Sequence, residues 1–319
     1  MRKATRKYQG EGYSFELEVE VPVCPKCGRS LTCESIEEKI AEKANAIIRQ
    51  EKDIITKEGI IEILDKYNTS QKFLSKLLGW GDITLTRYIT GNYTPNQENS
   101  AKLKSLLNPY VFQNLLNEKC IETNEAIKEE KSFAKAQSKL NNEFQKVEQD
   151  NKKIFSVINW FLAQSSEELP ITHLALEKLL YFVQSWSVAL NGEWMFEDDC
   201  QAWVHGAVYP QVYEQFKCFG YRPLPKVSSK VNLSQDDIKI LELVKKYYYD
   251  VYNARTLENI CHLEEPYKQA RKGYLEEQPC HEIIEKTCIK NYYNTIAKKY
   301  NITLQDTSGV KAYLNEVLR

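Results

Sequence analysis

The chain has 319 residues, which is enough for two or three domains of ordinary size. Hydrophobic residues make up 42% and charged residues 27% of it, as in soluble globular proteins. The formal net charge is −1, so no overall positive field draws the chain to nucleic acid, and any DNA-binding surface must be a local patch.

The basic N-terminus is not followed by a hydrophobic segment, so we expect no secretory signal. No apolar run reaches the length of a membrane span, and we expect no contact with a membrane. The nine cysteines are an odd number spread thinly along the chain, which is typical of reduced thiols in a cytoplasm. These features predict a cytoplasmic protein.

Residues 13–23 alternate apolar and acidic side chains, with Val19 and Val21 among the apolar positions. Alternation with a period of two predicts a half-buried strand. The strand leads directly into CPKCG, in which Cys24 and Cys27 have the spacing of one zinc-ribbon knuckle. These two thiols are therefore the candidate metal ligands of the chain.

A closed zinc site needs four ligands, so one knuckle is only half of it. The nearest third thiol is Cys33, and no histidine precedes His173. A complete site would need a partner chain, a carboxylate such as Glu34, or residues upstream. Zinc at an incomplete site is thus the one candidate cofactor, and no cofactor is certain.

Residues 36–116 have the pattern of a unit built from short helices. The first helix is predicted over 35–52, and the next one is predicted to open at Thr56 with Gly59, Ile60 and Ile61. Residues 70–92 combine a short helix, a Gly-Trp-Gly turn and a second short helix. Ser70 is the predicted N-cap of the first of these two helices.

Asp82 is the predicted N-cap of the second short helix, and Gly91 is its predicted end. Two short helices joined by a glycine turn predict a helix-turn-helix, in which the second helix enters the major groove of DNA. Arg87 is the best candidate to contact a base or a phosphate. The candidate DNA-binding residues are Gln71, Asp82, Ile83, Thr84, Thr86 and Arg87. The alternative is a three-helix core without a role in DNA binding.

This stretch resembles the helix-turn-helix of MqsA-like antitoxins, in which GWG precedes a recognition helix that ends in RYxxG. Here these motifs are residues 79–81 and 87–91. The strand and CPKCG lie where that family carries its zinc ribbon. The resemblance implies binding to the operator of the chain's own operon. The chain departs from the family in having no cysteine before Cys24, where the first knuckle would stand.

Residues 117–153 are predicted to form a charged helical linker. No glycine or proline occurs from residue 110 to 169, and the mixed charges suit a solvated helix. The apolar positions are sparse and keep no strict heptad: Ile127, Phe133, Leu140, Phe144 and Val147. We expect a solvated spacer, with a weak dimer contact as the alternative.

Residues 154–319 form a second globular block, which is helical apart from a stretch around Gly206 and Pro210. A capping box of Ser234 and Asp237 opens one of its helices. Further helices are predicted over 211–219, 256–262, 266–272, 282–300 and 308–318.

Seven short motifs in this block carry a second resemblance. They read ITH at 171–173, KLLY at 178–181, WVHG at 203–206, VYP at 208–210, VY at 212–213, HLEEPY at 262–267 and AR at 270–271. In this order they resemble the Panacea, or SocA-like, domain of toxin–antitoxin and phage-associated proteins. The resemblance implies a domain that holds a toxin inactive by direct contact, without identifying the contacting residues.

Two other chemistries are open in the same block. The residue types of a cysteine hydrolase are Cys200, Cys218, His205, Asp198 and Asp199. Two Cys-His pairs offer zinc ligands: Cys261, His262, Cys280 and His281. We expect the single histidines His173 and His205 to make structural hydrogen bonds instead, and we predict no enzyme.

Residues 247–249 are three consecutive tyrosines in a chain that has 20. Because a helix cannot bury three consecutive side chains on one face, we expect some of them at solvent or at a partner. Ordinary core packing is the alternative for any one of them.

The sequence therefore predicts a mainly α protein with a short N-terminal β element. Its four segments are a zinc-ribbon-like strand region with a partial knuckle, a helix-turn-helix domain, a charged helical linker and a helical Panacea domain, at 1–35, 36–116, 117–153 and 154–319.

The predicted function is that of a type II antitoxin, which binds a cognate protein toxin, binds operator DNA and is a homodimer. The alternatives are a transcriptional regulator whose second domain senses a ligand or dimerises and, less favoured, a cysteine hydrolase.

Overall fold

The computed structural model of the chain describes residues 1–10, 13–91, 93–151, 153–227 and 233–319. The chain divides into two units, Met1–Leu140 and Asn141–Arg319, and each is described by itself. The fold is mainly helical with a short N-terminal hairpin, as predicted. The finer division into four segments stays a prediction.

The first unit begins with an antiparallel hairpin of β1 (Arg2–Gly10) and β2 (Tyr13–Val21). Its helices are α1 (Glu34–Glu51), α2 (Lys57–Lys66), α3 (Gln71–Leu77), α4 (Thr84–Thr90), α5 (Gln97–Ser105) and α6 (Pro109–Glu122), followed by a 3-10 turn (Ala126–Glu129) and the start of α7 (Lys131–Asn151).

The hairpin packs one face on α1. Val19 and Val21 of β2 are buried together with Ile40, which explains the apolar alternation in the sequence. The Arg6 guanidinium of β1 adds two hydrogen bonds to Glu37 of α1, at 2.6 and 2.8 Å. The sequence predicted only the second strand, because β1 carries mostly exposed polar side chains.

Local capping signals set the helix ends of the first unit. The hydroxyl groups of Thr56 and Ser70 accept hydrogen bonds from the amides of Gly59 and Phe73, each at 3.1 Å. Gly91 ends α4 in the left-handed conformation, with φ of 81°. These three predictions are confirmed.

The prediction that Asp82 caps α4 is wrong. The residue at the N-cap is Ile83, which makes no side-chain capping bond. The turn continues past position 82, because the amide of Thr84 donates to the carbonyl of Gly81 at 3.0 Å. The Asp82 carboxylate instead lies 3.2 Å from the ammonium of Lys72 on α3.

The expected spacer at 117–153 is helical, but its apolar side chains are not solvated. Ile127, Phe133 and Leu140 are all buried. The side chain of Gln137 donates to Gln113 of α6 at 3.0 Å, so the first half of the segment packs on the first unit. The side chain of Val147 lies outside the described residues. A solvated spacer is therefore the wrong description of this half.

The second unit is built around α9 (His173–Leu190), which is buried along most of its length. The other elements are α8 (Lys153–Gln164), β3 (Gln201–Trp203), β4 (Gly206–Val208), α10 (Pro210–Phe216), a 3-10 turn (Lys217–Phe219), α11 (Gln235–Val244), a π-helical turn (Lys245–Tyr249), α12 (Ala254–Leu263), α13 (Glu265–Ala270), α14 (Lys286–Lys299) and α15 (Gly309–Val317). Helices α8, α11, α12 and α14 pack on α9 together with the β3–β4 hairpin.

The prediction of a Ser234–Asp237 capping box is confirmed, with both reciprocal bonds at 3.0–3.1 Å. The three tyrosines are not all buried, as expected, but two of them follow the alternative of core packing. Tyr248 and Tyr249 are both buried and Tyr247 is half-buried. The chain is π-helical here, and the wider turn brings consecutive side chains into the core.

None of the helices in the described residues is both long and apolar enough to cross a membrane.

Candidate functional site

A half-enclosed cavity of about 590 Å³ opens on the second unit. Its size is typical of binding pockets, and most of its walls are apolar or aromatic. The lining residues come from α9, the β3–β4 hairpin, α10, α12 and the loop before α14: His173, Leu174, Glu177, Lys178, Trp203, Val204, His205, Val208, Tyr213, Lys217, Gly220, Tyr221, Arg255, Glu258, Pro279, Cys280 and His281. We call it the α9 pocket.

Glu177 is a buried carboxylate at the base of the α9 pocket. One of its oxygens accepts a hydrogen bond from the amide of Tyr209 at 2.8 Å. The other lies 3.3 Å from Nε2 of His173, one turn earlier on α9. These partners satisfy Glu177 from within the domain, so its role here is to fix the hairpin on α9.

Glu258 on α12 is the second buried carboxylate. Oε1 lies 3.2 Å from Nδ1 of His205, and Nη1 of Arg255 donates to both oxygens at 2.9 Å. The side chains of His205 and Arg255 are about 70% exposed, at 69% and 71%. Glu258 therefore holds two cationic or titratable groups at the mouth of the pocket.

Lys178 is fully buried beside the β3–β4 turn. Its ammonium donates to the carbonyl of Ala207 at 2.5 Å. Burial lowers the pKa of Lys178, because the charged form loses its hydration, while the nearby carboxylates and thiols oppose that shift. This hydrogen bond connects α9 to the β3–β4 hairpin.

Aromatic rings form one wall. The ring of Trp203 lies 4.8 Å from Tyr213 and 5.2 Å from His281, and the ring of His173 lies 5.2 Å from Tyr213. Tyr221 stands at the rim with 98% of its surface exposed. An aromatic residue so exposed beside an apolar cavity is typical of an interaction site.

The loop that carries Pro279, Cys280 and His281 into the wall is held by Arg271. This buried guanidinium donates to the carbonyl of Ala202 on β3 at 2.9 Å. It also donates to three carbonyls of the loop, those of Leu275, Glu276 and Gln278, at 2.8–3.0 Å. Arg271 is thus a positioning residue for the pocket wall.

The cysteine nucleophiles considered from the sequence are not activated. Cys200 is buried, and burial raises the pKa of its thiol to about 12. Burial also raises the pKa of Cys218. His205, the histidine of that residue set, makes a structural contact with Glu258, as expected. A thiol with a raised pKa is a poor nucleophile at neutral pH, so this geometry gives no support to hydrolysis.

The two Cys-His pairs do not converge on a metal site either. Within the described ranges, no three His, Cys, Asp or Glu side chains are grouped as metal ligands. The ring of His262 stacks on Tyr267 at 4.6 Å, and burial lowers the pKa of His262 to about 4. The thiol of Cys261 accepts from the amide of Ala207 at 3.4 Å.

Away from the pocket, Glu264 is fully buried where α12 meets α13. Three tyrosine hydroxyls donate to it, from Tyr181 at 2.8 Å, Tyr293 at 2.7 Å and Tyr313 at 2.5 Å. Burial raises the pKa of Glu264 to about 7, although the hydroxyl donors oppose that rise. The carboxylate thereby links α9, α14 and α15.

In the first unit, the six candidate DNA-binding residues lie on the α3–α4 pair. Thr86 of α4 donates to the side-chain oxygen of Gln71 on α3 at 2.7 Å. Asp82, Ile83, Thr86 and Arg87 are exposed, whereas Thr84 and Gln71 are partly buried. Leu85 and Tyr88 face the core. The other side of α4 is thus open to a partner, with Arg87 on it.

Cys24 and Cys27 form a tight turn in which the amide of Gly28 donates to the carbonyl of Cys24 at 2.8 Å. The amides of Cys27 and Lys26 hydrogen-bond the Cys24 sulphur and lower the pKa of its thiol. Such a turn suits a knuckle. The donor set does not suit a closed zinc site, because no third ligand joins the two thiols in the part of the chain that is described.

Comparison with known proteins identifies a domain within the second unit. Residues 176–268 match the sequence model of the family described as antitoxin SocA-like, Panacea domain. The C-terminal unit therefore contains a Panacea domain, as the motifs within these residues predicted, whereas the bounds 154–319 and the binding of a toxin stay predictions. No curated protein and no solved structure is significantly similar to the chain. The resemblance to MqsA-like antitoxins stays a prediction.

The motifs that carried the resemblance supplied much of the α9 pocket. His173, Lys178, His205 and Tyr213 all come from them and line it together. Sequence reasoning missed the residues whose partners are remote. For Arg255 and Glu258, the only sequence signal of an interaction was their spacing of three residues on a predicted helix. Tyr221 had none.

Proposed function

We propose that this protein is an antitoxin, which neutralises a cognate protein toxin by direct binding through its second unit. The observation that carries the proposal is the match of residues 176–268 to an antitoxin domain. The α9 pocket lies largely on these residues and ends at an exposed tyrosine, as a protein-binding surface would.

The first unit supports a second role, which is binding to operator DNA. Arg87 is exposed on α4, and it makes no ion pair with any residue in the described ranges. The α3–α4 pair has the length and turn of a helix-turn-helix, whose second helix would enter the major groove. We propose that the protein regulates its own operon in this way.

Two further features complete the proposal. Helix-turn-helix proteins usually read two half-sites, so we propose a homodimer on DNA. Both proposed partners, a toxin and the operator, lie in the cytoplasm. The thiols of Cys24 and Cys27 would then belong to a knuckle that shapes the end of β2 rather than to a complete metal site.

Co-expression tests the antitoxin role. The toxin-like open reading frame beside the gene is induced in a bacterial host, with and without this protein. We expect growth to be rescued and the two proteins to co-purify. Toxicity that persists with no co-purified complex would contradict the proposal. DNA binding that survives such a result would favour the alternative of a plain transcriptional regulator.

A further inference from the structure

We infer that the α9 pocket is the toxin-docking site, and that it receives a protruding toxin segment with an aromatic side chain next to a carboxylate. This inference rests on the proposed antitoxin function and goes beyond it, because it assigns the contact surface and the chemistry of the partner.

The first observation is the exposed aromatic rim. Tyr221 is 98% exposed, although burying a tyrosine ring away from water is energetically favourable. It follows the 3-10 turn after α10 and lines the same cavity as Tyr213 and Trp203. A partner ring inserted here would meet aromatic faces on one side and would cover Tyr221 on the other.

The second observation is the size of the cavity. A volume of about 590 Å³ is more than one side chain fills, and the cavity is open to solvent on one side. A short protruding segment of a folded protein suits this shape, with one anchoring side chain inside and its neighbours over the rim. The apolar walls at Leu174, Val204 and Pro279 would pack on that anchor.

The third observation is the sign of the accessible charge. Both lining carboxylates, Glu177 and Glu258, are buried and have partners inside the domain. The exposed charges of the lining itself are the cations Lys217 and Arg255, although Lys217 also pairs with Glu214 of α10, which lies outside the lining. The α9 pocket is therefore complementary to an acidic segment of the partner rather than to a basic one.

Arg255 is specifically prepared for a second carboxylate. Only its Nη1 atom bonds to Glu258 within the described residues. Nε and Nη2 remain, and together they form the edge of a guanidinium that binds carboxylates in a two-pronged manner. Glu258 holds the stem in place, so little side-chain freedom is lost when the partner binds.

Two variants and a matched control test this assignment. Tyr221→Ala removes the rim ring, and Lys217→Glu reverses one accessible charge. Lys239→Glu is the control, since Lys239 is 52% exposed and pairs with an acidic residue three positions away, as Lys217 does. Affinity for the purified neighbouring toxin is measured by calorimetry on the full-length proteins, after circular dichroism has shown that each variant is folded.

We expect Tyr221→Ala and Lys217→Glu each to weaken toxin binding by about tenfold or more, while Lys239→Glu binds as the wild type does. If the wild type binds and all three variants bind equally well, the docking site is wrong and the antitoxin function stands. If the wild type itself does not bind, both the function and the docking site fail.

Photo-crosslinking gives an independent readout. p-Benzoylphenylalanine replaces Tyr221 in one protein and Tyr93, a tyrosine of the first unit that is 66% exposed, in the control. We expect a crosslink to the toxin from position 221 alone, on a peptide that contains an aromatic residue near Asp or Glu. A crosslink from position 93 alone, or from 221 to a basic peptide, would overturn the inference.

Discussion

Lys178 occupies the space that a side chain at Gly206 would need. A Cβ at position 206 would lie 2.8 Å from Cε and 2.9 Å from Nζ of the lysine, which is closer than real Cβ atoms approach other atoms. The backbone at Gly206 is also in the left-handed region, with φ of 92°. The absence of a side chain at Gly206 thus leaves the space that the buried lysine of α9 occupies.

We therefore expect Gly206→Ala to lower the free energy of unfolding by about 2–4 kcal/mol, from the overlap with Lys178 and from backbone strain together. The control is Gly192→Ala, where φ is 79° but no atom lies within 4 Å of the new Cβ. That variant should lose only about 1 kcal/mol. Chemical denaturation measures both, and equal losses would show that the lysine contact is unimportant.

The pKa of Glu264 predicts a pH dependence of stability. Its value is about 7 in the folded chain against an ordinary value of 4.5, so the folded state binds more protons between these pH values. Folding stability should therefore fall as the pH rises through this window, by up to about 3 kcal/mol at ~1.4 kcal/mol per pH unit. Buried His262, whose pKa is lowered to about 4, opposes this fall below pH 6.5.

Glu264→Gln isolates the contribution of this one carboxylate. The difference in free energy of unfolding between Glu264→Gln and the wild type should grow in favour of the variant from pH 4.5 to 7 and stay constant above. Thermal and chemical unfolding at five pH values measure it. Glu242→Gln, at an exposed position of α11, is the control. A difference that does not change with pH would contradict the burial of an ionisable Glu264.

Arg87 is the residue on which the proposed DNA contact most depends. Arg87→Ala should weaken binding to the upstream region of the gene by about tenfold and reduce the salt dependence of binding by about one ion. Fluorescence anisotropy at several salt concentrations measures both. Lys139→Ala, at an exposed position of α7, should change neither. Unchanged affinity and salt slope in Arg87→Ala would remove α4 from the DNA interface.

The cysteines should differ in their reactivity with iodoacetamide at pH 7. Cys24 has a lowered pKa and is partly exposed, whereas Cys200 and Cys261 are buried with pKa values of about 12. Because the thiolate is the reactive form, Cys24 should be modified before the buried pair. Mass spectrometry of timed samples measures the order, and similar rates at all three would contradict it.

Metal analysis tests the partial knuckle. Two thiols leave half of the zinc coordination sphere unfilled, so we expect the purified protein to hold less than one zinc ion per chain. Elemental analysis of protein purified without chelators measures this. Half a zinc ion per chain that is lost in Cys24→Ser would show that a second copy of the chain supplies the missing ligands, whereas one zinc ion per chain would contradict the expectation.

Features that depend on neighbouring residues could be predicted from the sequence. Thr56 and Ser70 cap helices through amides three residues away, and Gly91 ends α4 through its own backbone conformation. Asp82 does not cap α4, because the turn continues to Ile83, and its carboxylate lies near Lys72 on another helix. The residues around a position in the sequence do not reveal a contact with another helix.

In the candidate site too, local motifs could be predicted, whereas contacts between distant elements could not. Its motifs could be recognised, but not the convergence of Tyr221 with Arg255 and Glu258 on one pocket, because Tyr221 lies far from α12 in the sequence. The π-helical turn that buries Tyr248 and Tyr249 was unpredictable for a related reason. Its stability comes from the helices packed around it, as when Trp186 donates to the Tyr248 hydroxyl at 2.9 Å.

The three donors of Glu264 also constrain the order in which the second unit can assemble. Tyr181 precedes the carboxylate by 83 residues, whereas Tyr293 and Tyr313 follow it by 29 and 49. A ribosome therefore synthesises Glu264 before two of its three partners exist. Glu264 must remain in contact with water until α14 and α15 have been synthesised. The core around it is therefore completed late. In a nascent chain halted before α15, that core would still be exposed to solvent.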